Sequence, residues 1–390
     1  MNKKLVCLAM VIVGAIVLGG CAAPTPQMVP QTVIVPQTVA VPQTVIVEKV
    51  TVATPAPAAP TAAAPAPRTI NVFAGSGQDT SVEAAFVPSV IRIRANDTVQ
   101  WKVGGDEIHT VSFNPPPALQ PVAPIPGGGP TDFMIPPELG FGTRAPGAPV
   151  EKFSGTGYIN SGVMSKQPAA PGAPPNDTFA LTFDKPGAYK FVCLIHPFMT
   201  GVVVVESATD TSVPSQADVD AQAKAEKAGL DAQVKAATDW SKNPQSATGP
   251  NNTTLWFVNA ATNVGDPDAA VYDFGPKTLT VKAGDTVNWF SAEFHTVTFN
   301  PKSPPDDFII PKPQGANKPP ILSLNPKILF PAKPSQSYDP TQYYNSGSLG
   351  YGNPTGNTFS LTFDKPGTYA YYCAVHVQLG MKGTVVVQPK

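Results

Sequence analysis

The stretch CLIHPFM, residues 193–199, places a Cys, a His and a Met on one short segment. The Cys-x-x-His spacing lets a tight loop point the thiolate of Cys193 and the imidazole of His196 at one ion. Met199 follows on the same segment with a soft thioether. A fourth ligand must come from elsewhere, and His109 in the segment HTVSFN is the candidate. One thiolate, two imidazoles and a weak thioether suit the Cu(I)/Cu(II) pair, so this set predicts a copper site.

The same donors recur in the same order in CAVHVQLGM. Cys373, His376 and Met381 correspond to the first loop, and His295 in HTVTFN corresponds to the upstream histidine. Four residues separate His from Met here, against two in the first loop. A mixed sulfur and nitrogen site compromises between the preferences of the two copper oxidation states, so little reorganises when an electron arrives or leaves. We therefore expect two electron-transfer sites whose axial geometries, and hence potentials, differ.

Other interpretations of these residues are open at this point. Zinc accepts Cys and His, although Met is an unusual zinc ligand. Cys193 and Cys373 could form a disulfide in an exported chain, but equivalent loops of separate domains give poor geometry for a bridge. Gln378 could replace Met381 as axial ligand. Met381 is favoured because Gly380 frees the loop to turn toward the ion.

Short segments in which apolar and polar residues alternate must hold these loops in place. TVQWKV, TFALTF and AYKFVC have a period of two and are rich in β-branched and aromatic residues, and Gly, Pro, Asn and Asp separate such segments. AGDTVNWF and YYNSG in the second half of the chain repeat ANDTVQWK and YINSG in the first half, so a whole domain is duplicated. We predict an all-β fold with two tandem β-sandwiches, over residues 68–206 and 251–390.

Between these halves, residues 207–250 are expected to form a mostly helical linker. Ser215-x-x-Asp218 has the form of a capping box, and Asn243-Pro244 would end the helix. Three apolar residues fall on one helical face: Leu230, Val234 and Ala237. Because this stripe is thin, a partly disordered linker is the alternative.

Each half also carries a Pro-rich insert, at residues 115–150 and 301–340. Loops of this length are usually either functional or disordered. DFMIP and DFIIP recur within the two inserts, so we expect part of each to be ordered.

Both halves resemble cupredoxins, the small blue-copper proteins. CLIHPFM resembles the amicyanin loop and CAVHVQLGM the plastocyanin and pseudoazurin loop, each after a Tyr-x-x-x-Cys approach. The resemblance covers residues 70–206 and 251–388, excluding much of the inserts. It implies Greek-key β-sandwiches with type 1 copper held by His109, Cys193, His196, Met199, His295, Cys373, His376 and Met381. Members of the family place Asn after the upstream His, whereas Thr110 and Thr296 stand there, which puts the bracing of the ligand loop in doubt.

The composition argues against nucleic-acid binding and against catalysis at an additional copper ion. The chain has 390 residues, a formal net charge of −1 and only 14% charged residues, which removes the electrostatic case for binding nucleic acid. All four histidines belong to the two predicted sites, so no ligands remain for a substrate-binding copper. We expect an electron carrier, not an enzyme, with no small-molecule substrate. Transient redox protein partners would dock near His196 and His376, where apolar residues form a rim. Copper storage, delivery or sensing is the alternative.

The N-terminus predicts export. Residues 1–20 carry two lysines, an apolar run and the ending LGG before Cys21, which resembles a bacterial lipoprotein signal. Cleavage would leave Cys21 lipid-bearing, anchored to the outer face of a bacterial membrane, at the cell surface or in the periplasm. A plain signal peptide or short anchor is the alternative. Residues 21–67 are Pro-rich and are expected to be a disordered tether.

Overall fold

Equivalent strands of the two halves bury their side chains in the same alternating order. The computed structural model describes residues 64–144, 148–168, 174–300, 305–315, 318–332, 336–350 and 356–390. Thr178–Phe183 and Thr358–Phe363 both bury their second, fourth and sixth residues. The period of two that is visible in the sequence is therefore the period of burial. The predicted signal peptide, Cys21 and the tether up to residue 63 lie outside the described residues.

The elements of the first half are short strands and one helical turn. In chain order β1 to β12 are Thr69–Ser76, Ser81–Val87, Val90–Arg94, Thr98–Val103, Ser112–Phe113, Ala123–Pro124, Phe133–Ile135, Glu151–Phe153, Ile159–Asn160, Thr178–Phe183, Gly187–Val192 and Thr200–Glu206. Helix α1 spans Pro137–Gly140 and lies within the first insert.

A long helix, α2, spans Gln216–Ser241 and separates the halves. Strands β13 to β26 follow it: Gln245–Thr248, Thr254–Asn263, Ala269–Gly275, Thr278–Lys282, Asp285–Phe290, Thr298–Phe299, Ile309–Lys312, Ile321–Leu324, Pro331–Ala332, Gln336–Ser337, Tyr344–Ser346, Thr358–Phe363, Gly367–Tyr372 and Lys382–Gln388. Helix α3 spans Pro326–Leu329, and 3-10 turns span Pro250–Asn252 and Val377–Leu379.

Each half is a sandwich of two sheets around an aromatic core. In the first, β2-β1-β4-β10-β8 packs against β3-β12-β11-β5-β9. In the second, β15-β14-β17-β24-β22 packs against β16-β26-β25-β18-β23-β21. Trp101 meets Phe191 across the first core at 5.2 Å between ring centroids, and Trp289 meets Tyr371 across the second at 5.3 Å. The predicted all-β class, with two tandem Greek-key sandwiches joined by a helix, is confirmed.

The two sandwiches are joined edge to edge by backbone hydrogen bonds. Strand β2 pairs antiparallel with β15, in a register that sets Val82 opposite Ala270. The backbone N–H of Tyr272 donates to the carbonyl of Thr80 at 2.7 Å. One sheet of 11 strands therefore runs through both halves. This pairing fixes the two sandwiches to each other, and no motif in the sequence predicted it.

Helix α2 covers the join on one face of this sheet. Its capping box is formed by Ser215 and Asp218, as predicted. The predicted stripe is buried, and it packs with residues of β2 and β15 in one apolar cluster: Ala85, Val87, Ala223, Leu230, Val234, Ala237, Ala269 and Val271. The alternative of a disordered linker is wrong for these residues. No helix in the described ranges has the length and apolar character needed to cross a bilayer.

The two inserts pair with each other. Strands β6 and β7 of the first insert and β19 and β20 of the second form a sheet in the order β19-β20-β7-β6. Leu322 pairs with Ile135, and Ser323 pairs with Met134. The repeated DFMIP and DFIIP segments supply β7 and the start of β19, so the expected partial order is confirmed. The inserts thus form a second connection between the halves.

Candidate metal centres

Each ligand loop begins where a central strand of the sandwich ends. Cys193 follows β11 directly, and Cys373 follows β25. The loops fold back on themselves, because the Cys193 N–H donates to the Met199 carbonyl at 3.0 Å and the Cys373 N–H to the Met381 carbonyl at 3.1 Å. Residues that are consecutive in the sequence are thereby turned toward one end of each sandwich.

The upstream histidines reach the same end from another part of the chain. His109 forms an isolated bridge with Met164, and His295 forms the equivalent bridge with Leu349. Both histidine side chains are fully buried. The residues that bridge them lie C-terminal to each insert, so the chain segment that follows the insert helps to position the first ligand of each group.

In the first half, donor atoms of His109, Cys193 and His196 lie within 4.8 Å of one another. The Cys193 Sγ is 3.8 Å from the Nδ1 of His196. Among the described residues, neither ring nitrogen of His109 finds a hydrogen-bond partner, although both are buried. Unpartnered buried polar atoms are costly unless something satisfies them, and a metal ion at this point would do so.

In the second half, His295, Cys373 and His376 form the same group. The Cys373 Sγ is 3.6 Å from the Nδ1 of His376 and 3.9 Å from the Nδ1 of His295, and the two Nδ1 atoms are 3.0 Å apart. Metal bonds of roughly 2.0–2.3 Å place donors on one ion about 3–4 Å apart, so this spacing fits an ion between them.

The two methionines are fully buried at the ends of their loops. Gln378, the alternative axial ligand, is exposed instead. Cys193 and Cys373 are both free and buried, so a disulfide between them, the other alternative, is wrong for this structure.

A threonine braces each loop at the position where the resemblance would place an asparagine. The Thr110 N–H donates to the Cys193 Sγ at 3.3 Å, and its hydroxyl accepts the N–H of Leu194 at 2.8 Å. The second half repeats this, with Thr296 bonded to the Cys373 Sγ at 3.3 Å and to the Ala374 N–H at 2.7 Å. The doubt that the sequence raised about bracing is thus resolved, since a hydroxyl makes the connection.

Two asparagines that the sequence analysis did not assign extend these networks. Asn160 accepts a hydrogen bond from Ser112 at 2.8 Å and donates to the Glu138 carbonyl at 2.7 Å. Asn345 accepts from Thr298 at 2.9 Å and donates to carbonyls of α3. The repeated YINSG and YYNSG motifs carried this signal. Through these asparagines, the helical turn of each insert is tied to the strand behind the ligand loop.

Burial controls the protonation of the donors. It raises the pKa of the Cys193 and Cys373 thiols, while backbone N–H donors oppose part of that effect. It lowers the pKa of His196 to about 4. The imidazoles are therefore neutral and the thiols protonated near neutral pH without metal, so metal binding should release protons.

The two donor groups lie close to each other. Burial lowers the pKa of His376 to about 3, and a positive charge on His196 in the other half would lower it further. Burial also lowers the pKa of His295, and positive charges on His376 and on His196 would add to that effect. His196 and His376 line one cavity of about 1850 Å³ between the ligand loops and the inserts. His196 is only 6% exposed, so its ring edge is reached through this cavity.

Known proteins match this chain in sequence. A family model described as copper binding proteins, plastocyanin/azurin family, matches residues 260–388. The plastocyanin of Scenedesmus fuscus is 32% identical over 123 residues, covering 31% of this chain and 92% of that protein. The chloroplastic plastocyanin of Tetradesmus obliquus is 30% identical over 133 residues, covering 34% and 69%. The solved amicyanin structure from Paracoccus versutus covers 35% of this chain and 81% of its own at 20% identity, with a TM-score of 0.18.

Proposed function

The chain belongs to the plastocyanin/azurin family of copper-binding proteins, and on that premise we propose that it is an exported electron carrier with two type 1 copper sites. Copper is the cofactor of this family, and the two groups of His, Cys and His provide for two ions. The observation that carries the proposal is the gathering of one buried thiol and two imidazoles at the same end of each sandwich, where every donor residue is buried except the partly buried His376.

Each half contributes one set of ligands. In the first, His109, Cys193 and His196 would hold the ion, with Met199 as the axial ligand. In the second, the set is His295, Cys373 and His376, with Met381. Burial of both methionines supports their role. Bound copper would supply a centre that accepts and releases one electron.

The protein itself holds the ligand side chains in fixed positions and shields them from water. The Thr110 and Thr296 N–H groups each hold a cysteine sulfur, and their hydroxyls hold the next residue of the loop. Outer hydrogen bonds of this kind orient metal ligands and tune the ion. Ligands that are fixed with or without an electron on the site need little rearrangement, which favours a carrier.

Partners and location extend this proposal. Transient redox proteins would dock at this cavity, near His196 and His376. The cavity lining includes apolar residues from both ligand loops: Pro197, Phe198, Val375, Val377 and Leu379. Cleavage before Cys21 and lipid on its thiol would hold the protein at the outer face of a bacterial membrane. All four histidines of the chain serve the two donor groups, which supports a carrier over a copper enzyme.

Copper loading of the full chain tests the function. We expect two copper ions per chain, an intense thiolate-to-Cu(II) band in the visible region, and reversible reduction. The Cys193→Ser and Cys373→Ser variants should each lose one ion and one part of the band. A colourless protein that binds Cu(I) tightly and resists oxidation would instead establish storage or delivery.

A further inference from the structure

Tyr272 lies against the second donor group. Its ring centroid is 4.8 Å from that of His295 and 4.9 Å from that of His376. The side chain is buried. It therefore contacts both imidazoles of the second site.

The position of Tyr272 is fixed by the join between the sandwiches. Its N–H donates to the carbonyl of Thr80, in the first half, at 2.7 Å. Its neighbour Val271 packs under α2, whereas Tyr272 points to the opposite face of the sheet, with the core that contains both cysteines. The turn at Thr80 also approaches the second ligand loop, since a Cβ on Gly380 would lie 4.0 Å from its methyl group.

The duplicated halves differ at this position. In the first half, β1 and β2 set Ala74 opposite Phe86, and in the second, β14 and β15 set Ala260 opposite Phe274. Counting back two residues from each phenylalanine, Tyr272 corresponds to Ala84. A methyl group in one copy is thus an aromatic ring in the other, and this ring stands where the two halves meet.

His196 of the first site lines the same cavity as Tyr272, His295 and His376. Residues of both ligand loops therefore line one shared cavity. The shared sheet, α2 and the sheet formed by the inserts fix this arrangement at three places. Electron tunnelling weakens steeply with distance and is more efficient through packed atoms than through gaps, so a fixed, packed contact matters.

From these contacts we infer that the two sites exchange electrons with each other within one molecule, and that Tyr272 is the positioning residue that couples them. The inference rests on the proposed function. In each exchange one electron leaves the reduced site and arrives at the oxidised site; no bond forms or breaks, and no proton moves. A partner that docks at either histidine would then have access to both sites.

Electron paramagnetic resonance of the fully oxidised, copper-loaded chain tests the proximity. We expect dipolar broadening that is absent from the Cys193→Ser and Cys373→Ser variants and from the sum of their spectra. If both sites show their visible bands and reduce reversibly, yet the spectrum equals that sum, the inference fails and the proposed function stands. Absence of the bands themselves would count against the proposed function instead.

Pulse reduction tests the role of Tyr272. A pulse too small to reduce both sites should be followed by a first-order redistribution whose rate does not depend on protein concentration. The Tyr272→Leu variant should lose this fast phase while keeping two copper ions per chain. Tyr338→Leu, which removes a buried ring from the core of the second half, is the matched control and should keep it. A fast phase that survives in Tyr272→Leu would overturn the assignment of Tyr272.

Discussion

Gly75 provides the sharpest test of how the fold holds the first site. It lies at the bulge between Ala74 and Ser76, with a φ of +70°. A Cβ at this position would lie 1.9 Å from the Nε2 of His109 and 2.4 Å from its Cδ2. The histidine ring is fully buried, so it has little room to move aside.

The size of the effect follows from these distances. Carbon atoms in contact stay about 3.5–4.0 Å apart, so Gly75→Ala must displace the Cδ2 of His109 by roughly 1.1–1.6 Å. Metal ligands tolerate about 0.2 Å. A left-handed backbone costs an alanine about 1–2 kcal/mol, and overpacking costs about 1–3 kcal/mol more. We therefore expect a loss of about 2–5 kcal/mol in the free energy of unfolding, or a displaced His109.

The assay is copper content and visible absorption of Gly75→Ala in the full chain. Copper per chain should fall by half, and the remaining band should match that of Cys193→Ser, because only the second site stays intact. The second half offers a matched control. Ala261 occupies the corresponding bulge with a φ of +74°, so Ala261→Gly should keep both ions and relieve strain. Full copper content and an unchanged spectrum in Gly75→Ala would refute the reasoning.

Three further predictions follow from the hydrogen bonds and loops. Thr110→Val leaves the Leu194 N–H without its acceptor, which should cost about 1–3 kcal/mol and lower the Tm; an unchanged Tm and first-site band would contradict the bracing role. Burial raises the pKa of Asp97, but N–H donors from two arginines outweigh that effect, so the net pKa is lowered. The ionised carboxylate of Asp97 therefore stabilises the fold above its unfolded pKa of about 3.9, and this stabilisation is lost as the pH falls through the folded pKa. The Tm deficit of Asp97→Asn should therefore shrink on acidification below about pH 4, and a constant deficit would rule this out. Redox titration should give two distinct potentials, with Met381→Leu shifting one and Gln378→Ala neither; indistinguishable potentials would count against separate tuning of the two sites.

The sequence alone determined the donors and their loops. Cys193 and His196 are three positions apart, so one turn of the chain brings them together whatever surrounds it. The duplication then predicted a second group in the same order, and the structure gathers His295 with Cys373 and His376. Strand periodicity and the capping box of α2 are also local signals, because each depends only on neighbours along the chain.

Tertiary structure decided what lies around those donors. Thr110 holds Leu194 across 84 positions, and Gly75 leaves room for His109 only because a bulge in β1 passes beneath that ring. The two sites line one cavity because β2 pairs with β15 and joins the two halves. These contacts join residues that are remote in the sequence, and strand register and the packing of one sandwich on the other set them. No spacing along the chain specifies that arrangement, so the sequence indicated two separate sites where the folded protein places them side by side.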